Sequence, residues 1–210
     1  MKTIYLIRHG EIATGQHRYV GSLDIGLTDR GRAQIADLAV ALAKVKISRV
    51  YTSPLSRCQE SAAILCRALG GSAESVAELR EISLGAWEGL AKAEIEQQFP
   101  GAHAARGQNL AGFRPPGGES FSDLLNRAWP AFARLMAAAD QGLVIVGHAG
   151  LNRVLLTRIL DLPLANIFRL GQDYGCLNLL QYGRQGLRVK TLNWRPISEG
   201  DDKGGKQDSF

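Results

Sequence analysis

Two histidines of this 210-residue chain each follow a short apolar run that predicts a buried strand. His9 follows residues 2–7, and His148 follows residues 142–147. Arg57 comes soon after a third short strand, in the first turn of the helix that is predicted there. Because the carboxyl ends of parallel strands meet at one edge of a sheet, we expect these three side chains to line one crevice. Imidazole and guanidinium groups beside helix N-termini form an environment suited to phosphate.

The elements that position these groups alternate between strand and helix along the chain. Thr28 is a good N-cap for the first helix, and Gly70 and Gly71 mark the end of the second. The pattern predicts strands at residues 2–7, 49–52, 142–147, 176–182 and 187–194, and helices at residues 29–45, 53–69, 91–99, 119–139 and 151–160. Strands that alternate with helices predict a three-layer α/β/α fold with a mostly parallel central sheet.

Other stretches of the chain are less regular. Residues 73–118 combine short apolar pieces with many glycines, and we expect them to form an insertion that covers the site. Pro130 lies inside the helix predicted at 119–139 and is expected to bend it or to separate two helices. We predict one domain over residues 1–195, followed by a disordered tail over residues 196–210, which is rich in Gly, Asp and Lys.

The composition is that of an ordinary soluble globular protein, with 45% hydrophobic and 21% charged residues. A net charge of +5 is equally compatible with an anionic partner and with an ordinary surface excess of Lys and Arg. The basic residues are spread along the chain, so a nucleic-acid partner is not expected. The apolar run before Arg8 is too short for a signal peptide or a membrane span, so we expect no membrane partner and a cytoplasmic location.

Several kinds of site lose support because their motifs are missing. The three cysteines form no C-x-x-C pair and are odd in number, which argues against a disulfide framework or a zinc site and favours a reducing compartment. His17 and His103 lie outside any motif and are expected on the surface, with no metal site. The chain also has no G-x-S-x-G elbow, no dinucleotide-binding glycine motif and no Walker A loop, so serine hydrolases, Rossmann dehydrogenases and P-loop kinases lose support.

The segment Ile7-Arg8-His9-Gly10-Glu11 resembles the defining motif of the histidine phosphatase superfamily, also called the phosphoglycerate mutase-like superfamily. Further segments that resemble the family follow in the expected order: Arg18-Tyr19-Val20-Gly21, Leu27-Thr28, Ser53-Pro54-Leu55-Ser56-Arg57, Leu79-Arg80-Glu81, Gly85-Ala86-Trp87-Glu88-Gly89, Pro116-Gly117-Gly118-Glu119-Ser120 and Gly147-His148-Ala149-Gly150. The resemblance extends to about Trp194 and implies a phosphoglycerate mutase-like fold.

The resemblance implies that His9 is phosphorylated during catalysis and that Arg8, Arg57 and His148 form the phosphate pocket. A phosphoryl group in transfer carries negative charge on three equatorial oxygens, which positioned cations and N–H donors stabilise. One guanidinium group can bind two of these oxygens at once. A neutral imidazole can attack phosphorus through one ring nitrogen if a hydrogen bond at the other nitrogen fixes the tautomer, and adjacent arginines help to keep the ring neutral.

The resemblance also implies roles for residues around this pocket. Glu81 is implied as the general acid that protonates the leaving alkoxide and then as the base that activates water. Arg18, Glu11 and Gly21 are implied as further substrate-binding residues. The mechanism requires no metal and no cofactor. The expected partner is a small phosphomonoester, and the protein is expected to be a monomer or a homodimer.

The sequence departs from the family pattern in a few places. Many relatives carry an Asn in the loop after the catalytic histidine, where this chain has Ala13-Thr14-Gly15-Gln16, so one phosphate contact is expected to be missing or supplied differently. Ser61 stands where Thr is usual and keeps the hydroxyl group. Gly147 replaces a common Ser, and Ala149 replaces a common Gly. None of these changes removes a group that the mechanism requires.

The predicted function is that of a small-molecule phosphomonoesterase. The compact chain, Arg18-Tyr19 and residues 147–153 resemble alpha-ribazole phosphatases of cobalamin nucleotide-loop assembly, although broad-specificity relatives look similar. The main alternative is a 2,3-bisphosphoglycerate-dependent phosphoglycerate mutase, but residues 91–113 are short for a mutase and hold only Lys92 and Arg106 as cations. A second alternative is a non-catalytic phosphate-binding module. Such a module needs no nucleophile and proton donor together, which favours the enzyme.

Overall fold

A six-stranded sheet forms the middle layer of the molecule, seen here in a computed structural model that describes residues 1–14 and 18–196. Its strands are β1 (Lys2–Arg8), β2 (Ile47–Thr52), β3 (Ala73–Ser75), β4 (Gly142–Gly147), β5 (Leu177–Gly183) and β6 (Gly186–Trp194). They lie in the order β3-β2-β4-β1-β5-β6. The first four strands in this order are parallel, whereas β5 is antiparallel to both of its neighbours. The predicted mostly parallel sheet is confirmed, and the last two predicted strands pair as an antiparallel hairpin at its edge.

Helices cover both faces of this sheet. In the described part of the chain they are α1 (Asp29–Leu42), α2 (Ser56–Leu69), α3 (Lys92–Gln98), α4 (Ala102–Gln108), α5 (Phe121–Ala138) and α6 (Ala149–Ile159), with 3-10 helices at Ala77–Leu79, Gly85–Trp87 and Leu164–Arg169. The first helix begins at the predicted N-cap, where the Thr28 hydroxyl accepts a hydrogen bond from the Gly31 N–H. The second ends at Gly70, whose φ of 79° favours glycine. Among the described residues, no helix has both the length and the apolar character that crossing a membrane would require.

Alternate side chains of the central strands enter two separate hydrophobic clusters. In β1, Ile4 and Leu6 pack with α5 and α6 on one face of the sheet. Tyr5 and Ile7 pack with α1 and α2 on the other face. The strand is therefore buried on both sides, as its continuous apolar sequence predicts. These two helical layers give the predicted three-layer α/β/α architecture, in which the carboxyl ends of β1, β2 and β4 meet at one edge.

Of the two effects predicted for Pro130, the junction between two helices is not found, and the bend stays a prediction. The helix α5 continues through Pro130 as one element, so no junction divides it. A proline inside a helix removes one main-chain hydrogen bond. Its buried neighbours Ala128 and Phe132 hold the flanking turns in the hydrophobic cluster, and this packing outweighs the lost bond.

The least regular part of the chain is also where the sequence prediction is least complete. Residues 73–118 contain β3, α3, α4 and two 3-10 helices, of which only α3 is predicted. The partly buried Phe99 and Ala102 pack this region against the cluster that contains Trp87. The prediction of one domain over residues 1–195 stays a prediction. The predicted disordered tail lies, from residue 197 onwards, outside the described residues.

The loop after β1 lies directly against the first turn of α1. A Cβ atom added to Gly31 would lie 2.2 Å from the carbonyl oxygen of Glu11, and one added to Gly10 would lie 2.2 Å from the carbonyl oxygen of Gly31. Both distances are far below van der Waals contact. The two glycines therefore permit a backbone approach that holds the residues after the first strand, including His9, on α1.

Replacing Gly31 with Ala is expected to lower the free energy of unfolding by about 1–3 kcal/mol, because the new methyl group must push the loop away from α1. Gly107→Ala is the matched control, since Gly107 also lies in a helix and a Cβ atom there would meet nothing within 4 Å. Helix propensity is expected to raise the unfolding free energy of this control by up to about 1 kcal/mol. Urea unfolding measures both changes. An unaltered unfolding midpoint in Gly31→Ala would contradict the close approach.

Candidate active site

His9 lies at the carboxyl end of β1 and is 4% exposed. Its N–H donates to the Gly147 carbonyl oxygen at 3.1 Å, and its own carbonyl accepts from the Gly175 N–H at 3.0 Å. In the ring, Nδ1 lies 2.7 Å from the carbonyl oxygen of Gly10. A carbonyl oxygen can only accept, so we assign the proton to Nδ1 and the lone pair to Nε2. This is a tautomer in which a histidine can act as a nucleophile.

Arg8 is buried beside His9 and is held by the segment that precedes β5. Its main-chain N–H donates to the carbonyl oxygen of Cys176 at 3.0 Å. Its Nη1 donates to the carbonyl oxygen of Gln172, and its Cζ lies 3.8 Å from the centre of the Tyr174 ring. The ring centres of Tyr174 and His9 are 5.6 Å apart. This segment therefore forms one wall of the site, in contact with both residues.

Arg57 lies in the first turn of α2 and is 1% exposed. Its Nε donates to Nδ1 of His148 at 3.2 Å. Its Nη1 donates to the carbonyl oxygen of Leu23 at 2.5 Å, and its Nη2 donates to that of Gly21 at 3.0 Å. Main-chain carbonyl groups of one loop thus replace water around this buried cation.

His148 is the N-cap residue of α6 and is fully buried. Because its Nδ1 accepts from Arg57, the proton of the neutral ring belongs on Nε2, which lies 2.7 Å from Oγ of Ser53. The Sγ atom of Cys58 is 3.4 Å from the same nitrogen. The ring centres of His148 and His9 are 5.2 Å apart. His148 therefore lies beside the candidate nucleophile, while both of its nitrogens contact protein groups.

Both imidazoles are held in the neutral form. Burial lowers the pKa of His9 well below its usual value, and the charges of Arg8 and Arg57 lower it further, against an opposing effect of the hydrogen bond to Gly10. Burial is also the largest cause that lowers the pKa of His148 well below its usual value. An unfolded histidine binds a proton below about pH 6.5, whereas these buried rings resist it. The fold therefore loses stability as the pH falls below that value.

Glu81 is held on the first turn of α6. Its Oε2 accepts from the Gly150 N–H at 2.9 Å, and its Oε1 accepts from the N–H groups of Leu151 and Ile82, each at 3.0 Å. A Cβ atom added to Gly150 would lie 2.6 Å from Oε1, so a larger residue would displace the carboxylate. The helix dipole favours a negative group at this position. Because His148 caps the same helix, α6 fixes the position of Glu81 relative to His148.

Gly21 and Glu11 contact the site through different groups. Gly21 is buried, has a φ of +51° and presents its carbonyl oxygen to Arg57. The carboxylate of Glu11 accepts from the Thr28 hydroxyl at 3.1 Å and pairs with Arg30 at 3.4 Å. Glu11 is therefore bound at the start of α1, where it supports the loop that carries His9.

Arg18 is placed at the margin of the described site. Its Nη1 donates to the carbonyl oxygen of Gly89 at 2.6 Å and to Glu94 of α3 at 2.9 Å. Its side chain is 45% exposed, far more than those at the centre of the site. Among the predicted site residues, those that the structure brings together are Arg8, His9, Arg57 and His148, with Glu81 on the helix that His148 caps.

Some residues of the site carry no signal that the sequence analysis could use. Gln172 and Tyr174 contact Arg8 but lie in none of the family segments, and Gln172 is 164 residues away along the chain. Ser53 lies in a family segment, yet only the structure reveals its contact with His148. Contacts made by a loop across such a distance depend on the final packing, which no local pattern encodes.

The two histidines that were expected on the surface have different outcomes. His103 is partly buried, its Nε2 lies 2.8 Å from the hydroxyl oxygen of Tyr19, and its ring stacks parallel to that of Trp87. The prediction that His103 is a surface residue therefore holds only in part, because the ring is partly exposed and otherwise packed against protein. The prediction for His17 lies outside the described residues.

The cysteines of the described chain are buried free thiols: Cys58, Cys66 and Cys176. Burial raises the pKa of all three, that of Cys176 to about 12, so the thiolate form is disfavoured. Over the same described residues, no group of three or more His, Cys, Asp or Glu side chains is placed to hold a metal ion.

Proteins of known function resemble this chain over nearly its whole length. A family profile described as "Histidine phosphatase superfamily (branch 1)" matches residues 4–195. The glucosyl-3-phosphoglycerate phosphatase of Mycobacterium tuberculosis is 33% identical over 206 residues, which covers 92% of this chain and 92% of that protein. The adenosylcobalamin/alpha-ribazole phosphatase of Salmonella typhimurium is 28% identical over 199 residues, which covers 92% of this chain and 98% of that protein.

A solved structure shares the architecture as well. The alpha-ribazole phosphatase from Shigella flexneri has a TM-score of 0.85 against this chain, at 27% sequence identity, and the match covers 93% of this chain and 98% of that one. This agreement confirms the predicted phosphoglycerate mutase-like α/β fold.

His9 is expected to stay neutral at about pH 6, with its proton on Nδ1, because burial and the two neighbouring guanidinium groups lower its pKa below the ordinary value of about 6.5. Nitrogen NMR of protein labelled at histidine reports the charge and tautomer of each ring as the pH is lowered. A His9→Gln variant assigns the resonance, and the urea-unfolded protein supplies the ordinary titration. A His9 midpoint near that of the unfolded chain, or a proton on Nε2, would show the assignment to be wrong.

Proposed function

Because the chain belongs to the histidine phosphatase superfamily, we propose that it hydrolyses a small phosphomonoester by way of a phosphohistidine on His9. The chain is a phosphomonoester hydrolase, as its phosphatase relatives indicate, and the proposal concerns the residues that do the work and the substrate. The observation that carries the mechanism is the buried, neutral imidazole of His9, whose Nε2 keeps its lone pair beside two guanidinium groups.

The guanidinium groups supply the positive field that a transferring phosphoryl group needs. Each terminal nitrogen of Arg57 has two N–H groups and, within the described residues, donates one of them to a carbonyl. One N–H on each nitrogen is then left for a phosphate oxygen, in the paired geometry in which guanidinium binds oxyanions. Arg8 adds a second charge next to His9, and burial keeps water from weakening both charges.

In the first half of the reaction, the lone pair of Nε2 of His9 forms a bond to phosphorus as the ester P–O bond breaks. The electron pair of that bond goes to the leaving oxygen, which takes a proton from the carboxyl group of Glu81. The products of this half are the alcohol, a phosphohistidine and the Glu81 carboxylate. The proton of the phosphohistidine stays on Nδ1, which still donates a hydrogen bond to the carbonyl oxygen of Gly10.

In the second half, the Glu81 carboxylate takes a proton from a water molecule while the water oxygen attacks phosphorus. The N–P bond breaks, its electron pair returns to Nε2 of His9, and inorganic phosphate leaves. Glu81 is then protonated again, so both residues return to their starting state. One carboxyl group thus handles both proton transfers.

Other site residues are proposed to support these groups. His148 accepts from Nε of Arg57, which fixes the guanidinium plane, and its Nε2 proton would reach a phosphate oxygen only by giving up the contact with Ser53. The Gly21 carbonyl orients the same guanidinium group. Glu11 supports the loop that carries His9, and Arg18, the most exposed of the set, is proposed to contact the part of the substrate that lies outside the phosphate pocket.

The substrate names of the two relatives describe chemically different leaving groups. A glucosyl-3-phosphoglycerate carries a carboxylate close to its phosphate. The leaving part of an alpha-ribazole phosphate is a nucleoside without an acid group. A feature of this chain that favours either an acidic or a non-acidic leaving group therefore indicates the class of its substrate.

Arg106, in the last turn of α4, is such a feature. Its side chain is partly buried beside three aromatic rings. Its Cζ lies 5.8 Å from the centre of the Tyr19 ring, 5.9 Å from that of Phe121 and 5.6 Å from that of Phe168. Burial lowers the pKa of its guanidinium group, and no carboxylate of the described residues contributes to that pKa. Tyr19 lies two residues before Gly21, whose carbonyl oxygen contacts Arg57. We therefore propose that Arg106 binds an acid group of the leaving alcohol.

Replacing His9 with Ala is expected to reduce phosphate release by about 10⁴-fold or more, because the nucleophile is lost. The measurement uses p-nitrophenyl phosphate, alpha-ribazole phosphate, glucosyl-3-phosphoglycerate and 3-phosphoglycerate in the presence of EDTA. Brief reaction with ³²P-labelled substrate should leave label on the unchanged protein and on the His103→Asn control, but not on His9→Ala.

Other outcomes would support the alternatives. Isomerisation of 3-phosphoglycerate that depends on 2,3-bisphosphoglycerate, without phosphate release, would favour a mutase. Phosphate binding with neither label nor turnover would favour a binding module. Activity that is lost in EDTA would contradict a mechanism without metal.

Replacing Arg106 with Gln is expected to raise KM for 3-phosphoglycerate by about tenfold, the effect of losing a hydrogen bond to a charged group, and to leave KM for glycerol 3-phosphate unchanged. The two esters differ mainly in the carboxylate. Lys92→Gln is the matched control, since Lys92 is the other Lys or Arg cation of residues 91–113 and is exposed. Equal effects on both esters would remove the support for an acidic leaving group.

A further inference from the structure

The guanidinium group of Arg127, in α5, contacts the segment that carries Glu81. Its Nε and Nη2 donate to the two carboxylate oxygens of Glu119 at 2.9 and 2.8 Å. Its Nη1 donates to the carbonyl oxygens of Glu78 and Arg80 at 2.8 and 2.9 Å. Its Nη2 also donates to the carbonyl oxygen of Glu81 at 3.2 Å. These bonds use all five N–H donors of an arginine side chain.

The carboxylate of Glu119 holds the same segment from its other end. Its Oε2 accepts from the Ser83 N–H at 2.9 Å, and the Glu119 N–H donates to the Ser83 carbonyl oxygen at 2.8 Å. Arg127 and Glu119 therefore bind the main chain on both sides of the Glu81 side chain. The side chains of this pair are only 18% and 24% exposed, so water competes weakly for their bonds.

This arrangement supplies what the segment itself lacks. The residues around Glu81 belong to no strand, and the nearest helical element is a three-residue 3-10 helix, Ala77–Leu79. A proton donor must nevertheless be held close to the oxygen that it protonates, since small displacements reduce the rate strongly. The clamp of Arg127 and Glu119 provides that constraint, together with the N–H groups of α6.

We propose that Arg127, with Glu119, is a positioning residue for proton transfer by Glu81. The inference rests on the proposed role of Glu81 as general acid. It adds that the acid works only while the clamp holds its main chain in register with α6. Lysine cannot replace arginine here, because an ammonium group has three donors and cannot bind a carboxylate in a fork and three carbonyl groups at the same time.

The test depends on the leaving group of the substrate. A p-nitrophenolate leaves readily without a proton, whereas the alkoxide of glycerol 3-phosphate leaves only when it is protonated. Loss of the general acid should therefore reduce kcat/KM for the alkyl ester far more than for the nitrophenyl ester. Glu81→Gln is expected to lose about 10²–10⁴-fold on glycerol 3-phosphate and less than about tenfold on p-nitrophenyl phosphate.

Arg127→Lys is expected to show the same selectivity with smaller losses of kcat/KM. These losses are about 10–100-fold on the alkyl ester and less than about threefold on the nitrophenyl ester. Arg134→Lys is the matched control. Arg134 lies in the same helix and contacts the same segment, but through the side chain of Glu78 at 3.1 Å and with 61% exposure. Arg134→Lys is expected to leave kcat/KM unchanged for both esters.

A second variant and a double variant keep the inference testable if Arg127→Lys folds poorly. Glu119→Gln keeps the shape of the side chain and weakens the fork, and it should show the same selectivity. Once Glu81 is replaced by Gln, the position of its main chain no longer matters, so adding Arg127→Lys should cause little further loss on the alkyl ester.

The possible results separate the two proposals. If Glu81→Gln is selective for the alkyl ester and the Arg127 and Glu119 variants are not, the positioning role is wrong while the general acid stands. Equal losses on both esters in those variants, or additive losses in the double variant, would also overturn the positioning role. If Glu81→Gln itself shows no selectivity, the proposed role of Glu81 fails, and the inference fails with it.

Discussion

The burial of two guanidinium groups beside two imidazoles is the constraint on which the rest of the structure depends. Arg8 and Arg57 have almost no contact with solvent, and a charge removed from water must be solvated by protein groups. Main-chain carbonyl groups of two loops contribute this solvation, that of Gln172 for Arg8 and those of Gly21 and Leu23 for Arg57. The strands bring the arginines to one edge of the sheet, but the loops must follow one particular path for the charges to be tolerated there.

The same charges couple phosphate binding to the protonation state of the site. Nε of Arg57 can donate to Nδ1 of His148 only while that nitrogen has a lone pair, so the observed geometry requires a neutral His148. Burial and the nearby cations lower the pKa of both imidazoles and thus maintain this condition. A proton on His148 would break the contact that orients Arg57, and a proton on Nε2 of His9 would remove the nucleophile. One electrostatic arrangement therefore serves binding and chemistry together.

The sequence predicts the parts of the site that follow directly from strand ends and helix starts. His9, Arg57 and His148 each stand next to such a boundary, where a short apolar run or a capping residue is visible in one sequence. Contacts from irregular segments could not be predicted, because the carbonyl group of Gln172 and the clamp of Arg127 act on residues far away along the chain. Pro130 shows the opposite limit: a proline is a strong local signal for a bend or a junction in a helix, yet α5 continues through it because its neighbours are buried.

Strand register and one helix together set the geometry between nucleophile and proton donor. Arg8 is paired with Gly147 in adjacent parallel strands, so His9 and His148 leave the sheet side by side. His148 then caps α6, whose first turn binds Glu81. The positions of the phosphate end and of the leaving-group end of the site are thus both set by β4 and α6. This explains how a catalytic carboxylate can be carried by an irregular segment: its position is determined by the groups that bind it, and its own secondary structure need not determine it.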